Sequence, residues 1–249
     1  MNSVLDWFRW LNDSYGINFV YFYDPFERAR LLRGMETTLE LSAICIVLSI
    51  LIGMFGAWMQ GARLAIVRIP VQAYIQFFRN TPPLIQLYFF YFAIGPQLPL
   101  IVTSPNGFPQ PLMGSFAWAV VSLAFCTGAF NVEIFRSGIE AVPRSIIEAA
   151  ESLGYTRLQT YRFVIMPLAL RVCLPALNNN MVNLIKTTTQ AYAIAVPEVL
   201  FVANQIWSDH INVGEMMITL FAFFLLVIGV VVWVMHLVER RLRIPGFGQ

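Results

Sequence analysis

Charge is what this chain has least of. Only 12% of its 249 residues are Asp, Glu, Lys or Arg, while 58% are apolar. A soluble domain carries about 25% charged residues, so a soluble fold is excluded and a one-domain integral membrane protein is expected. Lysine occurs once, at Lys186; the other fifteen basic residues are arginines. The net charge of +2 gives no basis for nucleic-acid binding. No G-x-x-x-x-G-K-[ST] occurs, so ATP is not bound through a phosphate loop. H-E-x-x-H and G-x-S-x-G are also missing, which removes two hydrolase classes. Cys45, Cys126 and Cys173 lie in or beside apolar stretches. An odd number so placed argues for free, packed thiols, with no disulfide frame and no metal site. His210 and His236 are far apart, and His236 sits at a membrane edge. The N-terminus is not a signal peptide, because Asp6, Asp13 and Asp24 interrupt it.

What is present is length of apolar run. A membrane helix needs roughly 20 mostly apolar residues. Five transmembrane helices are expected, at about 37–59, 71–94, 113–135, 168–195 and 215–237. The fold class is therefore all-α and integral to the membrane. The last span is the cleanest, with no charge from Met216 to Val234; the second holds Arg79 and the fourth Lys186. The stretch 96–112, rich in proline and glycine, reads as a loop.

Arginine sets orientation. Arg63, Arg68, Arg136, Arg144, Arg157, Arg162, Arg240, Arg241 and Arg243 fall on one side, and loops 96–112 and 197–213 hold no Lys or Arg. Five spans then put the N-terminus outside and the C-terminus inside. Residues 1–35 carry nine aromatic rings between Trp7 and Phe26, together with Arg9, Arg28, Arg30 and Arg33 balanced by nearby acids. They are expected to lie as an amphipathic segment on the outer surface or to cover the bundle. The membrane domain is expected at 36–240, with a tail at 241–249.

Between spans three and four lies a charged helical hairpin, 143–167, which the topology puts in the cytoplasm. Ser145-Ile-Ile-Glu148 reads as a capping box, as does Thr156-Arg-Leu-Gln159. Gly154 suits the left-handed residue that ends the first helix, and Pro167 is expected to break the second. Leu158, Tyr161 and Ile165 share a helical face that could anchor it. Ala149 and Ala150 are small enough to let another surface approach.

Two features inside the spans concern a translocation path. Asn179, Asn183, Lys186 and Gln190 are spaced 4, 3 and 4, which is one face of a helix, with Thr188 beside them; Pro175 can kink that span. A charge at the bilayer centre costs at least about 2.5–3.5 kcal/mol, so such residues face a cavity or a partner. Lys186 would either complement a substrate carboxylate, or pair with Glu133, or cap carbonyls of a broken helix. Arg79, Thr81 and Gln86 flank Pro82-Pro83, a proline pair expected to break span two and free backbone groups to line a cavity or simply to kink.

The hairpin also resembles the cytoplasmic signature of the permease subunits of type I ATP-binding cassette importers: EAA, three residues, Gly, nine residues, Ile-x-Leu-Pro. Here Glu148-Ala149-Ala150 precedes Gly154, and Val164-Ile165-Met166-Pro167 follows nine residues later. Further stretches resemble the polar amino-acid branch of that family: Phe78–Leu87 (FRNTPPLIQL), Glu133–Ile139 (EIFRSGI), Leu184–Thr189 (LIKTTT) and the tail 238–246. Ser145-Ile146 departs from the usual Gly-Gln, Gln190 from Leu, and Asn180 from Glu. The resemblance implies that Glu148, Ala149, Ala150 and Gly154 couple to a separate ATPase. It also implies two such ATPase subunits, a second permease identical or paralogous, an extracytoplasmic amino-acid-binding protein and a place in the bacterial cytoplasmic membrane. No cofactor is expected on this chain, since ATP and Mg would sit on the ATPase. The tail and Lys186 lean towards an acidic substrate. The rivals are a stand-alone channel or secondary transporter, which would carry its own coupling-ion acids, and an intramembrane hydrolase using serine and Lys186.

Overall fold

The computed structural model describes residues 3–62, 64–101 and 108–242. Arg63, Arg243, residues 102–107 of the first loop and the rest of the tail lie outside the described residues. The described residues are helical almost throughout. Its contacts group into two compact units: one draws on residues up to Ile44, on Leu87–Val121 and on Ile185–Gly229, and the other on Cys45–Gln86, Ser122–Leu184 and the chain from Val230.

The first unit opens with α1 (Ser3–Tyr15), on which Trp7, Trp10 and Tyr15 stay exposed while Phe8 stacks on Phe22 with centroids 4.1 Å apart. A short 3-10 turn follows at Val20–Phe22. This stretch is tied down: the backbone N–H of Asn18 donates to Glu215 at 2.7 Å, and Tyr21 and Thr219 share a hydroxyl bond of 2.7 Å. α2 (Pro25–Gln60) starts ten residues inside the segment 1–35. Its first turns hold a charge cluster. Glu27, 5% exposed, takes Arg30 and His210, each at 3.3 Å, and Arg30 also reaches Asp209 at 2.9 Å.

The loop expected at 197–213 contains a helix, α9 (Val199–His210). Val199, Val202, Ala203 and Ile206 recur at helical spacing and pack with Val20, Leu31, Met216 and Leu220 as the core of this unit. Glu198 is its N-cap and accepts from the N–H groups of Leu200 at 2.9 Å and Phe201 at 2.8 Å. The side chain is fully buried. Loss of solvation pushes the carboxyl up from 4.5 to about 7, against the pull of the two amide donors. A raised carboxyl keeps its proton in the folded state after the unfolded chain has released it. Its contribution to stability is therefore full below pH 4.5 and lost as pH rises through 7. The melting temperature in detergent should fall more steeply for the wild type than for Glu198→Gln between about pH 5 and about pH 7.5. Parallel curves would rule this account out.

In the second unit the core is Ala57, Val71, Ile75, Val132, Phe135, Cys173 and Leu177. They come from α2, from α3 (Ala65–Asn80), from α5 (Ser115–Glu140) and from α8 (Met166–Thr187). Glycine permits the closest approaches: a Cβ on Gly53 or Gly56 of α2 would run into Asn131 or Val132 of α5. Cys45, Cys126 and Cys173 are buried and not joined in a disulfide.

Among the described residues, four helical runs are long and apolar enough to cross a membrane: Pro25–Gln60, Ser115–Glu140, Arg157–Ile194 and Val213–Leu242. The last, α10, has a mean hydropathy of 2.9 and leaves Phe221, Leu225, Leu226 and Trp233 exposed, as lipid contact requires. The expected second span is split. α3 stops at Asn80, Thr81 is extended at φ −117° and ψ 142°, and α4 (Pro83–Tyr88) continues into a π turn, Phe89–Ile94.

Candidate functional site

The break in span two has a local cause. Pro82 has no N–H, so the carbonyl of Phe78, four residues earlier, loses its helical partner. Gln86 replaces it. This buried side chain donates through Nε2 to the Phe78 carbonyl at 2.8 Å, the Thr81 carbonyl at 2.9 Å and Thr81 Oγ1 at 2.7 Å. Thr81 Oγ1 in turn donates to the Phe77 carbonyl at 2.8 Å. Thr81 and Gln86, expected on the substrate path, are the bracket that holds the break.

Arg79, the last basic residue before it, points into a cavity of about 640 Å³ within the second unit. Arg79 Nη1 donates to Glu133 Oε2 of α5, and the guanidinium lies 5.5 Å from the ring centroid of Phe130. Pairing offsets the cost of two charges in an apolar span. The Arg79 and Glu133 side chains remain 38% and 32% exposed. Asn179, Asn180 and Asn183 of α8 line the same cavity. Asn180 is committed to the wall: its Nδ2 donates to Asn131 Oδ1 at 2.8 Å and to the Thr127 carbonyl at 3.2 Å. Asn131 Nδ2 donates onward to Ser49 Oγ at 3.2 Å, so amides link α8, α5 and α2. A double-mutant cycle on Asn131→Ala and Asn180→Ala, read by denaturant titration in mixed micelles, should give a coupling of about 0.6 kcal/mol and at most about 1.7. Strict additivity would remove the link.

Arg79, Asn179 and Asn183 thus meet, and the rest of the expected stripe does not. α8 ends at Thr187 and tightens into a 3-10 segment, Thr188–Ile194. The turn there tightens to three residues, and Gln190 is not among the residues lining this cavity. Thr188 is buried and donates to the Ile185 carbonyl at 2.7 Å. Lys186 is exposed in the last turn of α8, where a cation complements the helix dipole. It is not among the residues lining this cavity, and Glu133, one of the three partners expected for it, pairs with Arg79. Glu133, Asn131 and Asn180 were missed as site-builders. Their signal was polarity inside an apolar run.

The hairpin is a second, separate feature. α6 (Arg144–Ser152) is N-capped by Pro143 with no side-chain bond, so the Ser145–Glu148 box does not form; the proline fixes the start two residues earlier than the serine would. At its other end Gly154 has φ +85°. Tyr155 N–H donates to the Ala150 carbonyl at 3.1 Å and Gly154 N–H to the Glu151 carbonyl at 3.0 Å, a Schellman motif. α7 (Arg157–Thr160) begins with the expected Thr156–Gln159 box. Pro167 does not end that helix. A π turn at Tyr161–Ile165 sends the N–H of Met166 to the Tyr161 carbonyl, which opens the ladder where the proline ring enters, and α8 runs on. Ala150 is buried, while Glu148 and Ala149 are exposed, as is every residue from Glu151 to Gln159. Leu158, expected as an anchor, is 76% exposed, and Leu153 80%; Tyr161 instead lines an apolar hollow with Ala57 and Trp58.

Membrane-length helices, a proline-broken helix pair beside a polar cavity and an exposed, capped hairpin point to a membrane transport subunit. The chain belongs to the family of binding-protein-dependent transport system inner membrane components, whose model matches residues 46–244. It is 30% identical over 213 residues to the octopine transport system permease protein of Rhizobium radiobacter, covering 85% of each chain. It is 29% identical over 221 residues to the glutamine transport system permease protein of Escherichia coli, covering 86% of this chain and 93% of that one. Among solved structures, an amino acid ABC transporter crystallised with histidines matches with a TM-score of 0.74 and 28% identity, over 86% of this chain and 94% of the other. The relatives are permeases of amino-acid ABC systems. This chain is likewise a permease subunit of a multi-pass membrane transporter, a transport component and not an enzyme, with ATP hydrolysis on a separate subunit.

Proposed function

We propose that this chain forms the path for a polar amino acid across a bacterial cytoplasmic membrane and is driven by a separate ATPase. In this reading five spans cross the membrane, the four long runs and the broken second one, with the N-terminus outside. The arginine distribution supports that orientation. The stretch before α2 then lies on the outer face, where the exposed Trp7 and Trp10 suit the headgroup region. A second permease, identical or paralogous, completes the path, and an extracytoplasmic binding protein delivers the substrate. Two ATPase subunits hold the ATP and Mg, with no cofactor on this chain.

The observation that carries the reading is the hairpin. Leu153 and Leu158 are 80% and 76% exposed on a charged, capped hairpin, Leu153 between the long runs and Leu158 at the very start of one. Apolar side chains held outward in this way call for a protein partner. Glu148, Ala149, Ala150 and Gly154 form the first half of that hairpin, and the ATPase is its partner. A tagged copy of this chain, purified in mild detergent, should bring down an ATP-binding subunit. Recovery of the chain alone, in a state that still transports, would favour a stand-alone carrier.

A further inference from the structure

Beside the hairpin, the second unit holds a hollow that shares no lining residue with the Arg79 cavity. We propose that it binds a lipid of the phosphatidylethanolamine type, with the phosphate on Arg136, the ammonium on Glu140 and an acyl chain along the apolar floor. The site is independent of which substrate is carried.

The hollow measures about 610 Å³ and lies between the last turns of α2 and α5 and Tyr161 of the hairpin. A narrower apolar one of about 220 Å³ shares Ala57, Trp58, Ile139 and Tyr161 with it and runs on between Met54, Phe135 and Leu170. Met54 and Trp58 are themselves exposed, as are Leu51 and Phe55 beside them. An exposed apolar flank on a membrane-length helix suits lipid, and a tryptophan at its end suits the headgroup level. The rim of the hollow is charged. Arg136 Nε lies 3.4 Å from Glu140 Oε1, and Nη1 donates to Gln60 Oε1 at 3.3 Å. A guanidinium has five donors, so Arg136 has capacity for a phosphate as well. Glu140 is an anion in an unfavourable place. It is the last residue of α5, at the negative end of the helix dipole. It also follows its arginine, the weaker order for a pair four residues apart. Its side chain is 65% exposed. What this position lacks is a cation. A lipid with a phosphate and no cation would set a second anion beside Glu140, and a choline headgroup has no N–H to donate. An ethanolamine headgroup brings phosphate and an N–H-bearing ammonium together, so that charges alternate along the rim. A chain in the floor regains the dispersion contacts that an empty hollow forfeits. Tyr161 opens the π turn that leads from α7 into α8, so a lipid held here braces the root of the hairpin.

The test uses this chain with its co-purifying partners in mixed micelles. They contain equal amounts of phosphatidylethanolamine, phosphatidylcholine and phosphatidylglycerol with identical acyl chains. Native mass spectrometry reads the lipid that stays bound. The wild type should retain phosphatidylethanolamine over either of the others by at least about tenfold, the worth of a hydrogen bond to a charged group. Glu140→Gln should abolish that preference while phospholipid is still held through Arg136. Arg136→Gln should weaken all three lipids alike. Ile139→Trp, which fills the hollow and leaves the charges in place, should empty the site. A wild type that retains the three lipids equally, or retains none, would overturn the proposal. So would a preference left unchanged by Glu140→Gln or by Ile139→Trp, since it would then belong only to lipids surrounding the whole bundle. If a variant fails to assemble, the wild type decides with the N-monomethyl and N,N-dimethyl forms of phosphatidylethanolamine. Retention should fall step by step as N–H donors are removed, and equal retention across that series overturns the site.

Discussion

Gly138→Val is expected to lower the melting temperature in detergent sharply and with it the yield of folded protein. Gly138 lies on α5 where α8 crosses closest: a Cβ there would run into Cys173 Sγ and stand 2.9 Å from the carbonyl oxygen of Ala169. The sulfur has little room to retreat, because it donates to the Ile134 carbonyl at 3.2 Å and the residue is 2% exposed. The carbonyl belongs to a helix backbone and cannot move alone. Overpacking of this kind costs about 3 kcal/mol, against a total stability of only about 5–15 kcal/mol. Alanine should already lower the melting temperature in detergent. Adding Cys173→Ala should recover part of that loss by removing the sulfur, and leave the part due to Ala169. A Gly138→Ala protein that melts with the wild type would mean that the two helices pack differently from this description.

Gly154→Val is expected to do the opposite: keep the protein folded and cut ATP-driven uptake by at least about tenfold. Nothing lies within 4 Å of a Cβ at Gly154, and the hairpin around it is exposed. The obstacle is the backbone. At φ +85° an L-residue pays about 1–2 kcal/mol, and a β-branched one is the least suited to that region. The turn between α6 and α7 would relax away from the Schellman geometry, moving Leu153 and Leu158 relative to Glu148 and Ala149. Gly154→Asn, which tolerates the left-handed region, should retain most of the uptake. Melting temperature and ATPase co-purification would be measured beside uptake. Wild-type uptake in the valine variant would break the link between this hairpin and coupling.

These two glycines mark what could and could not be read from the chain. Gly154 was legible because its role is local: a glycine closing a short helix, followed by Thr156 and Gln159 three apart. Gly138 was not, because its neighbours Ala169 and Cys173 are more than thirty residues away and only the packed helices join them. The same division holds elsewhere. α9 was missed because loop 197–213, free of Lys and Arg, was judged by charge and length; Glu198 as a cap and the Val199–Val202–Ile206 spacing were present in it. The start of α2 was missed because Glu27, Arg28, Arg30 and Arg33 interrupt its hydropathy. Three of those charges are spent within the folded chain, Glu27 and Arg30 on His210 and Asp209, and Arg28 on the carbonyls of Tyr21 and Phe22. At the cavity, Arg79, Asn179 and Asn183 were legible as polar residues in apolar spans. The choice of Arg79 over Lys186 as partner of Glu133 is tertiary. So is the tightening of α8 into a 3-10 segment at Thr188.

The central claim is that this chain carries a polar amino acid across a membrane only when a separate ATPase works on its hairpin. It is tested most directly by uptake of labelled amino acids into proteoliposomes containing this chain, its co-purifying ATPase and partner permease, with the binding protein outside. Accumulation is expected only with ATP supplied on the ATPase side, and is expected to vanish when the ATPase is left out. Equal accumulation by this chain without the ATPase or without ATP would contradict the account.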